Sequence, residues 1–342
     1  MTDQRRVIFI VGNSRSGTTM LGRVLGKHSW VHTFGELHFF EHQVDAATVC
    51  ARSSWPLEKR ITLVEKLLTS SRDGFFAKVV PGKYRDEAER VLADVEGEDP
   101  VSAYKSFLHY ESRRNGKIIP CEQTPRYLFF VKEILDAFPG ARVINIVRDP
   151  RDVLLSQKNK WRRRFLGAKN IPLSEALRAW VNYHPYTISR LWVAAVRTAN
   201  RFEGDPRFVS IRFEDLLQQP GTSVRSLCSF VGITFEPDML KVPQVGSSTG
   251  MDKPEQKGID GSRSGSWCKG GLTDVELAIC QHVAAKELSS LGYVAEPVVI
   301  AEWRRWMSMS DFAFKILLAL LLNLRRTKNL RETLRRRLVK QD

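Results

Sequence analysis

The sequence predicts an α/β fold, a parallel sheet flanked by helices, followed by a C-terminal helical extension. Three features carry that expectation. The apolar runs "VIFIV" (7–11), "RVINIV" (142–147) and "FVSIRF" (208–213) are short, rich in β-branched residues and end in polar loops, as strands buried on both faces do. Longer stretches with helical spacing separate them, and strands alternating with helices build parallel sheets. The first run also hands over to a glycine-rich loop, which at a helix N-terminus makes an anion site from backbone N–H groups and the helix dipole.

Taken in order, the first strand stops at Gly12 and the first helix covers 17–27. Between them "GNSRSGTT" has the frame G-x-x-x-x-G-K-[ST] of a phosphate-binding loop, with Thr18 where the lysine belongs and Arg15 inside the loop. Magnesium–triphosphate chemistry loses its main cation by that exchange. An oxyanion can still be held by N–H and hydroxyl groups of Ser14, Ser16, Gly17, Thr18 and Thr19, with Arg15 presenting two coplanar donors. Helical spacing recurs over 128–137, 150–161, 173–200, 214–231 and 273–290. The run 142–147 leads to Arg148, on the carboxyl edge where open α/β sheets bind ligands. Asp149 caps the next helix and Pro150 suits its first turn. Ser156 lies eight residues beyond Arg148, about two helical turns, so the pair could share a phosphate. The alternative pairs Arg148 with Asp149 or Asp152. Residues 243–267, rich in glycine and serine, read as a linker or as a loop that orders over a ligand.

Apolar residues make up 43% of the 342-residue chain, enough for a packed core and too many for a disordered one. The five cysteines, Cys50, Cys121, Cys228, Cys268 and Cys280, form no C-x-x-C pair and suggest neither a disulfide framework nor a zinc site. A reducing, cytoplasmic setting is therefore expected. Arg5 and Arg6 precede the first apolar run, but the polar loop interrupts that run too early for a signal peptide.

The net charge is +15, and eleven basic against four acidic residues place a surplus of seven in 301–342. A second basic cluster is "KNKWRRRFLGAK" (158–169). Such charge attracts polyanions of any kind. With no aromatic-interleaved basic strand and no recognition helix, nucleic acid is not expected. The organisation expected is a ligand-binding α/β domain over 1–300 and a basic, partly apolar helical tail over 301–342. Phe312 to Leu324 in that tail is nearly all apolar but about half the length that spans a bilayer. It either packs on the domain or a partner chain or, over 311–338, lies on an anionic membrane surface.

"SRSGTTML" (14–21) resembles the 5′-phosphosulfate loop of sulfotransferases that use 3′-phosphoadenosine 5′-phosphosulfate (PAPS). "VRDPRDVLLSQ" (147–157) resembles their 3′-phosphate motif, with the same Arg-to-Ser spacing. "VSIRFEDLLQQPGTSVRSLCSFVGITFEPDML" (209–240) looks like the strand–helix segment that follows, and "SRSGSWCKGGLT" (262–273) like the late Arg/Gly loop that closes over the nucleotide. The four segments stand in family order and, by motif, resemble the carbohydrate and tyrosylprotein branches. The resemblance implies a P-loop-type fold and sulfuryl transfer from PAPS to an acceptor hydroxyl. It implies no metal, because sulfate carries less charge than a terminal phosphate. Gly17, Thr18 and Thr19 would hold the 5′-phosphosulfate, and Arg15 would stabilise the bridging oxygen as the S–O bond breaks. Arg148, Ser156 and Arg263, with Gly265 in the same late loop, would hold the 3′-phosphate. Phe213 would stack on adenine unless it is a core aromatic.

For the base, "FGELHFFEH" (34–42) resembles an E-x-H-F-F string of the heparan and tyrosylprotein branches. That likeness makes Glu36 the base and His38 its supporting contact, with Phe39 and Phe40 as an apolar wall that raises the Glu36 pKa toward neutrality. The rival is Glu122 in "CEQTPRYLFF" (121–130), similar to an E-K-[ST]-x-x-Y motif. Gln123 replaces the lysine of that motif and puts a second catalytic cation in doubt; Glu122 could instead pair with Arg126. The basic run 158–169, with Trp161 to stack on a sugar, either favours a carbohydrate or lipid-linked sugar acceptor or is a solvated loop. Peptide and small-molecule alcohols stay open. Two other classes also stay open: a P-loop nucleotide or small-molecule kinase, and a non-catalytic module that binds PAPS or a polyanion.

Overall fold

The structure, a computed structural model, describes residues 6–168, 171–248, 250–301, 303 and 312–323. Its sheet has five parallel strands, β1 Val7–Gly12, β2 Val31–Thr33, β3 Ile119–Glu122, β4 Ala141–Val147 and β5 Phe208–Arg212, in the order β2-β3-β1-β4-β5. The central strand β1 sets Phe9 opposite Glu122 of β3 and Val143 of β4. All of β1 is buried. Val7, Phe9 and Val11 face one apolar cluster while Ile8 and Ile10 face another, the period of two that a sheet covered on both sides requires.

The helices are α1 Thr18–Gly26, α2 Ala46–Ala51, α3 Leu57–Arg72, α4 Arg85–Ala93, α5 Pro100–Arg114, α6 Val131–Ala137, α7 Pro150–Lys158, α8 Leu173–Val181, α9 Pro185–Asn200, α10 Phe213–Gln218, α11 Pro220–Val231 and α12 Asp274–Ser290. Leu21 and Leu25 of α1, Leu216 of α10 and Leu227 of α11 cover one face of the sheet. Leu67 of α3, Phe107 of α5 and Ile134 of α6 cover the other.

Two expected helices are each two. The stretch 173–200 breaks where the His184 ring accepts the Tyr186 N–H at 3.3 Å and Pro185 opens α9. The stretch 214–231 breaks at Gln219–Pro220. In both cases proline has no N–H to give and pushes the residue before it out of helical conformation. Residues 243–267 are no linker: β6 Pro243–Gln244 pairs antiparallel with β7 Lys253–Lys257, and short 3-10 turns follow at Gly261–Arg263 and Ser266–Lys269. Of the tail, a helix Phe312–Asn323 is described. The Phe312 ring lies 4.7 Å from His184 and 5.4 Å from Tyr186, so this helix packs on the domain. The rest of the expected 311–338 helix lies outside the described residues. Among the described residues no helix is long and apolar enough to cross a membrane.

Candidate active site

The loop between β1 and α1 turns tightly. Gly17 sits at φ 105, and a Cβ there would stand 2.4 Å from Phe213 Cδ2, so no other residue fits. Arg15 adopts φ 76, a left-handed conformation that costs a non-glycine residue about 1–2 kcal/mol. Helix α1 has neither an acidic residue in its first turn nor a side-chain cap, which leaves its positive end free for an anion. Arg15 Nε donates to Ser156 Oγ at 3.0 Å, and Nη2 donates to the Gly246 carbonyl at 3.0 Å and to Ser248 Oγ at 3.4 Å. Burial, with Arg163 and Arg148 nearby, brings the Arg15 pKa down to about 10, which still leaves it charged at neutral pH. Ser14, Arg15, Gly17, Thr18 and Thr19 line a cavity of about 1160 Å³. Ser16 does not: it is fully buried, and its hydroxyl has no partner among the described residues. Its side chain turns into the core because the loop doubles back at Arg15, so the expected hydroxyl contact is withdrawn.

Across the cavity, β4 delivers Arg148 to the sheet edge. Its Nη2 donates to the Arg263 carbonyl at 2.6 Å and its Nη1 to the Arg15 carbonyl at 3.4 Å, while Nε has no partner among the described residues. Of the two carboxylates weighed as its partner, Asp152 is the one, at 3.4 Å; Asp149 caps α7 and pairs with Arg151 at 2.7 Å. Asp152 also accepts the N–H groups of Gly265 at 2.9 Å and Trp267 at 3.0 Å. Gly265 thereby anchors the late loop instead of facing the cavity. Arg263, in that loop, does line it. Phe213 is 3% exposed, with its ring packed on Gly17 and 4.6 Å under the Arg148 guanidinium. Phe213 belongs to the core cluster and its ring also reaches the cavity lining, so both readings of it have a place in the structure.

The loop 34–42 brings Glu36 to the same cavity. Its carboxylate is 43% exposed, open to the cavity, and lies 3.1 Å from His38 Nε2. Burial pushes the Glu36 pKa up, but the His38 hydrogen bond and the charges of His38, Lys160 and Arg126 outweigh it and hold the carboxyl below its ordinary value. Of the expected apolar wall, Phe39 stacks on Tyr104 at 4.1 Å in the core, while Phe40 meets Tyr127 edge-on at 4.9 Å and also reaches the cavity lining, where the charges outweigh it. His38 has Glu36 on one nitrogen and Glu41 at 3.5 Å from the other. Burial works against its charge, yet the two carboxylates raise its pKa to about 9. His38, Glu41 and His42 bring ligand atoms within 4.8 Å of one another, near enough to meet one cation, although Glu41 already pairs with Arg126 at 3.3 Å.

Glu122 is placed differently from either expectation. It is fully buried, accepts the N–H groups of Leu37 at 3.1 Å and Thr124 at 3.0 Å, and makes no pair with Arg126. Burial pushes its pKa up to about 8. It holds the loop carrying Glu36 and His38 from below, and Tyr127 assists by accepting the Phe39 N–H at 2.6 Å. Sequence reasoning missed Lys160, Arg163, Gly246 and Ser248, all in the cavity wall. Only a basic run marked the first two, and only the glycine- and serine-rich stretch 243–267 marked the others.

Fold and site together define a P-loop-type α/β protein that gathers arginines and an ionised carboxylate around one cavity. A model of the sulfotransferase family matches residues 7–237, and the chain belongs to that family. It is 28% identical over 182 residues to carbohydrate sulfotransferase 5 of Homo sapiens, covering 49% of this chain and 43% of that protein. It is 25% identical over 129 residues to sulfotransferase 2A1 of Homo sapiens, covering 36% and 40%. The chain thus spans less than half the length of either relative. Among solved structures, the sulfotransferase domain from the curacin biosynthetic pathway gives a TM-score of 0.51 at 20% identity, covering 84% of this chain and 98% of that one. The sulfotransferase domain from the Synechococcus PCC 7002 olefin synthase gives 0.50 at 19% identity, covering 82% and 94%. At these identities the likeness is one of fold.

Proposed function

We propose that this chain transfers the sulfuryl group of PAPS to a hydroxyl-bearing acceptor, with Glu36 as the base. The observation that carries the reading is the 3.0 Å hydrogen bond from Arg15 to Ser156: the loop after β1 and the helix after β4 meet over one anion site, and Glu36 faces the same cavity. The N–H groups of Gly17, Thr18 and Thr19 at the positive end of α1 suit a 5′-phosphosulfate. Arg148, Ser156 and Arg263 suit a 3′-phosphate. Glu36, ionised through the neutral range, accepts the hydroxyl proton as the acceptor oxygen attacks sulfur. The electron pair of the breaking S–O bond goes to the 5′-phosphate oxygen, where Arg15 offsets the charge. His38 holds Glu36 in place and keeps it ionised. Protein cations do this work, so no metal is invoked.

Trp55, Phe75, Phe76, Phe129 and Phe130 line the remaining wall. They support an acceptor that sets an apolar or sugar face beside its hydroxyl, as a carbohydrate or lipid-linked sugar does. Exposed Leu317 and Leu322, followed by a basic sequence, support peripheral contact with an anionic membrane. The activity is tested with radiolabelled PAPS and a panel of sugars, glycolipids and small alcohols in EDTA. Label should pass to one class with the wild type and not with Glu36→Gln. Transfer that is equal in both proteins would remove Glu36 from the chemistry.

A further inference from the structure

The basic run that follows α7 is mostly committed to the protein itself. Lys158 Nζ lies 2.7 Å from Glu276 and donates to the Gly271 carbonyl at 2.9 Å. Arg163 donates to the Ser247 carbonyl at 2.9 Å and lies 3.3 Å from Asp252. Arg164 donates to the Ile171 carbonyl, and Arg162 covers the Trp161 ring at 5.3 Å. Among the described residues the run therefore offers little open surface for an anionic sugar chain.

Lys160 is the exception. It lines the cavity, and no hydrogen bond or ion pair to it is found among the described residues. It opens the 3-10 turn Lys160–Phe165 four residues after Ser156, so it follows about one turn behind the hydroxyl that meets Arg15. The charges facing it are Arg15 from the β1–α1 loop, Arg126 from the segment after β3, Glu36 from the loop 34–42 and Glu175 from α8. Neither carboxylate is free to neutralise it: Glu36 is taken by His38 at 3.1 Å and Glu175 by Arg178 at 2.6 Å. Lys160 is open to the cavity, and the partial desolvation there together with the two arginines brings the ammonium down to about 8. Arg15 and Lys160 thus stand close with both facing carboxylates engaged, and Arg126, itself paired with Glu41 at 3.3 Å, adds to the positive field, an arrangement that a bound anion relieves. The position from which the family resemblance would draw a second cation holds Gln123, which is buried against Gly22 and absent from the cavity wall.

Resting on the PAPS reading, we propose that Lys160 is a second catalytic cation, contacting the non-bridging oxygens of the sulfuryl group as it moves. In that step the acceptor oxygen forms the new S–O bond, its proton goes to Glu36, and the old S–O pair stays on the 5′-phosphate oxygen. Lys160 keeps its protons throughout and spreads the charge of the oxygens in transit. Arg15 serves the leaving side and Lys160 the side toward Glu36.

The test compares wild type, Lys160→Met and Lys160→Arg by calorimetry with 3′,5′-adenosine bisphosphate (PAP), which lacks the sulfuryl group, and by rates with PAPS. All three should bind PAP alike. Lys160→Met should lose about 10²-fold in kcat with acceptor KM little changed, and Lys160→Arg should recover much of that loss. In kcat/KM, the alkaline limb should move up in Lys160→Arg. If Lys160→Met keeps wild-type kcat while PAP binding is intact, the role of Lys160 falls and the PAPS reading stands. A raised acceptor KM at unchanged kcat, or PAP binding lost in Lys160→Met, would also overturn the role. Failure of the wild type to bind PAP would overturn the PAPS reading and this inference together.

Discussion

Arg15, His38 and Arg52 are the non-glycine residues with positive φ among those described, and the first two flank the proposed chemistry. Backbone strain of that kind persists where the surroundings over-determine it, as functional sites do. At this scale Glu36 is the deciding residue. Glu36→Gln keeps the shape and removes the base, so kcat should fall by about 10² to 10⁴ while calorimetry shows PAP affinity unchanged. His38 sets the pH range. Because the Glu36 carboxyl is held below its ordinary value, activity should persist as pH falls until that depressed pKa is crossed. His38→Asn removes the charge that holds it down, so the acid limb of kcat/KM should move to higher pH; a limb that stays in place would separate His38 from the base. Arg15, Glu36, Arg148 and Ser156 were legible because each sits in a motif with fixed spacing beside a strand end. Ser248 and the Gly246 carbonyl were not, since a lone serine and a backbone oxygen carry no spacing signature. The downward Glu36 shift was not legible, because two of the charges that cause it, Lys160 and Arg126, come from segments distant in sequence.

Between residue and sheet lies the loop 34–42, held by β3. Glu122 accepts the Leu37 N–H inside the core, so Glu122→Ala leaves a buried donor unsatisfied at a cost of about 1–3 kcal/mol. It should also lower kcat by displacing Glu36. Glu122→Gln keeps an acceptor oxygen and should do far less of either; equal damage from both would mean that the charge, not the acceptor, matters. The late loop depends likewise on Asp152, and Asp152→Ala should weaken PAP binding and speed hydrogen exchange over 262–268. Strands β1, β4 and β5 were readable from continuous β-branched runs. Strand β3 was not: it is four residues long and contains Pro120, which breaks the strand pattern. The segment α2–α5 was not delimited either, although α3, α4 and α5 pack on one another.

For the molecule as a whole, two groups tie stability to pH. The folded state raises Glu122 from 4.5 to about 8 and His38 from 6.5 to about 9. Folded protein then holds protons that the unfolded chain has released, so stability declines as pH rises. Thermal midpoints should fall between pH 6.5 and about 8, and Glu122→Gln should flatten that slope. Above that range Lys160, lowered from 10.5 to about 8, pulls the other way. Activity should be unchanged in EDTA; a loss restored by a divalent ion would place metal at His38, Glu41 and His42. Liposome co-sedimentation with and without 311–342 checks the membrane contact, and equal pelleting would end it. The most direct measurement is calorimetric titration with PAP in the absence of metal, set beside Mg·ATP. The account predicts PAP binding that weakens about 10- to 100-fold in Arg148→Ala, the loss of about 1.5–3 kcal/mol of charge-assisted hydrogen bonding. Binding of Mg·ATP without binding of PAP would contradict it and give the site to phosphoryl transfer.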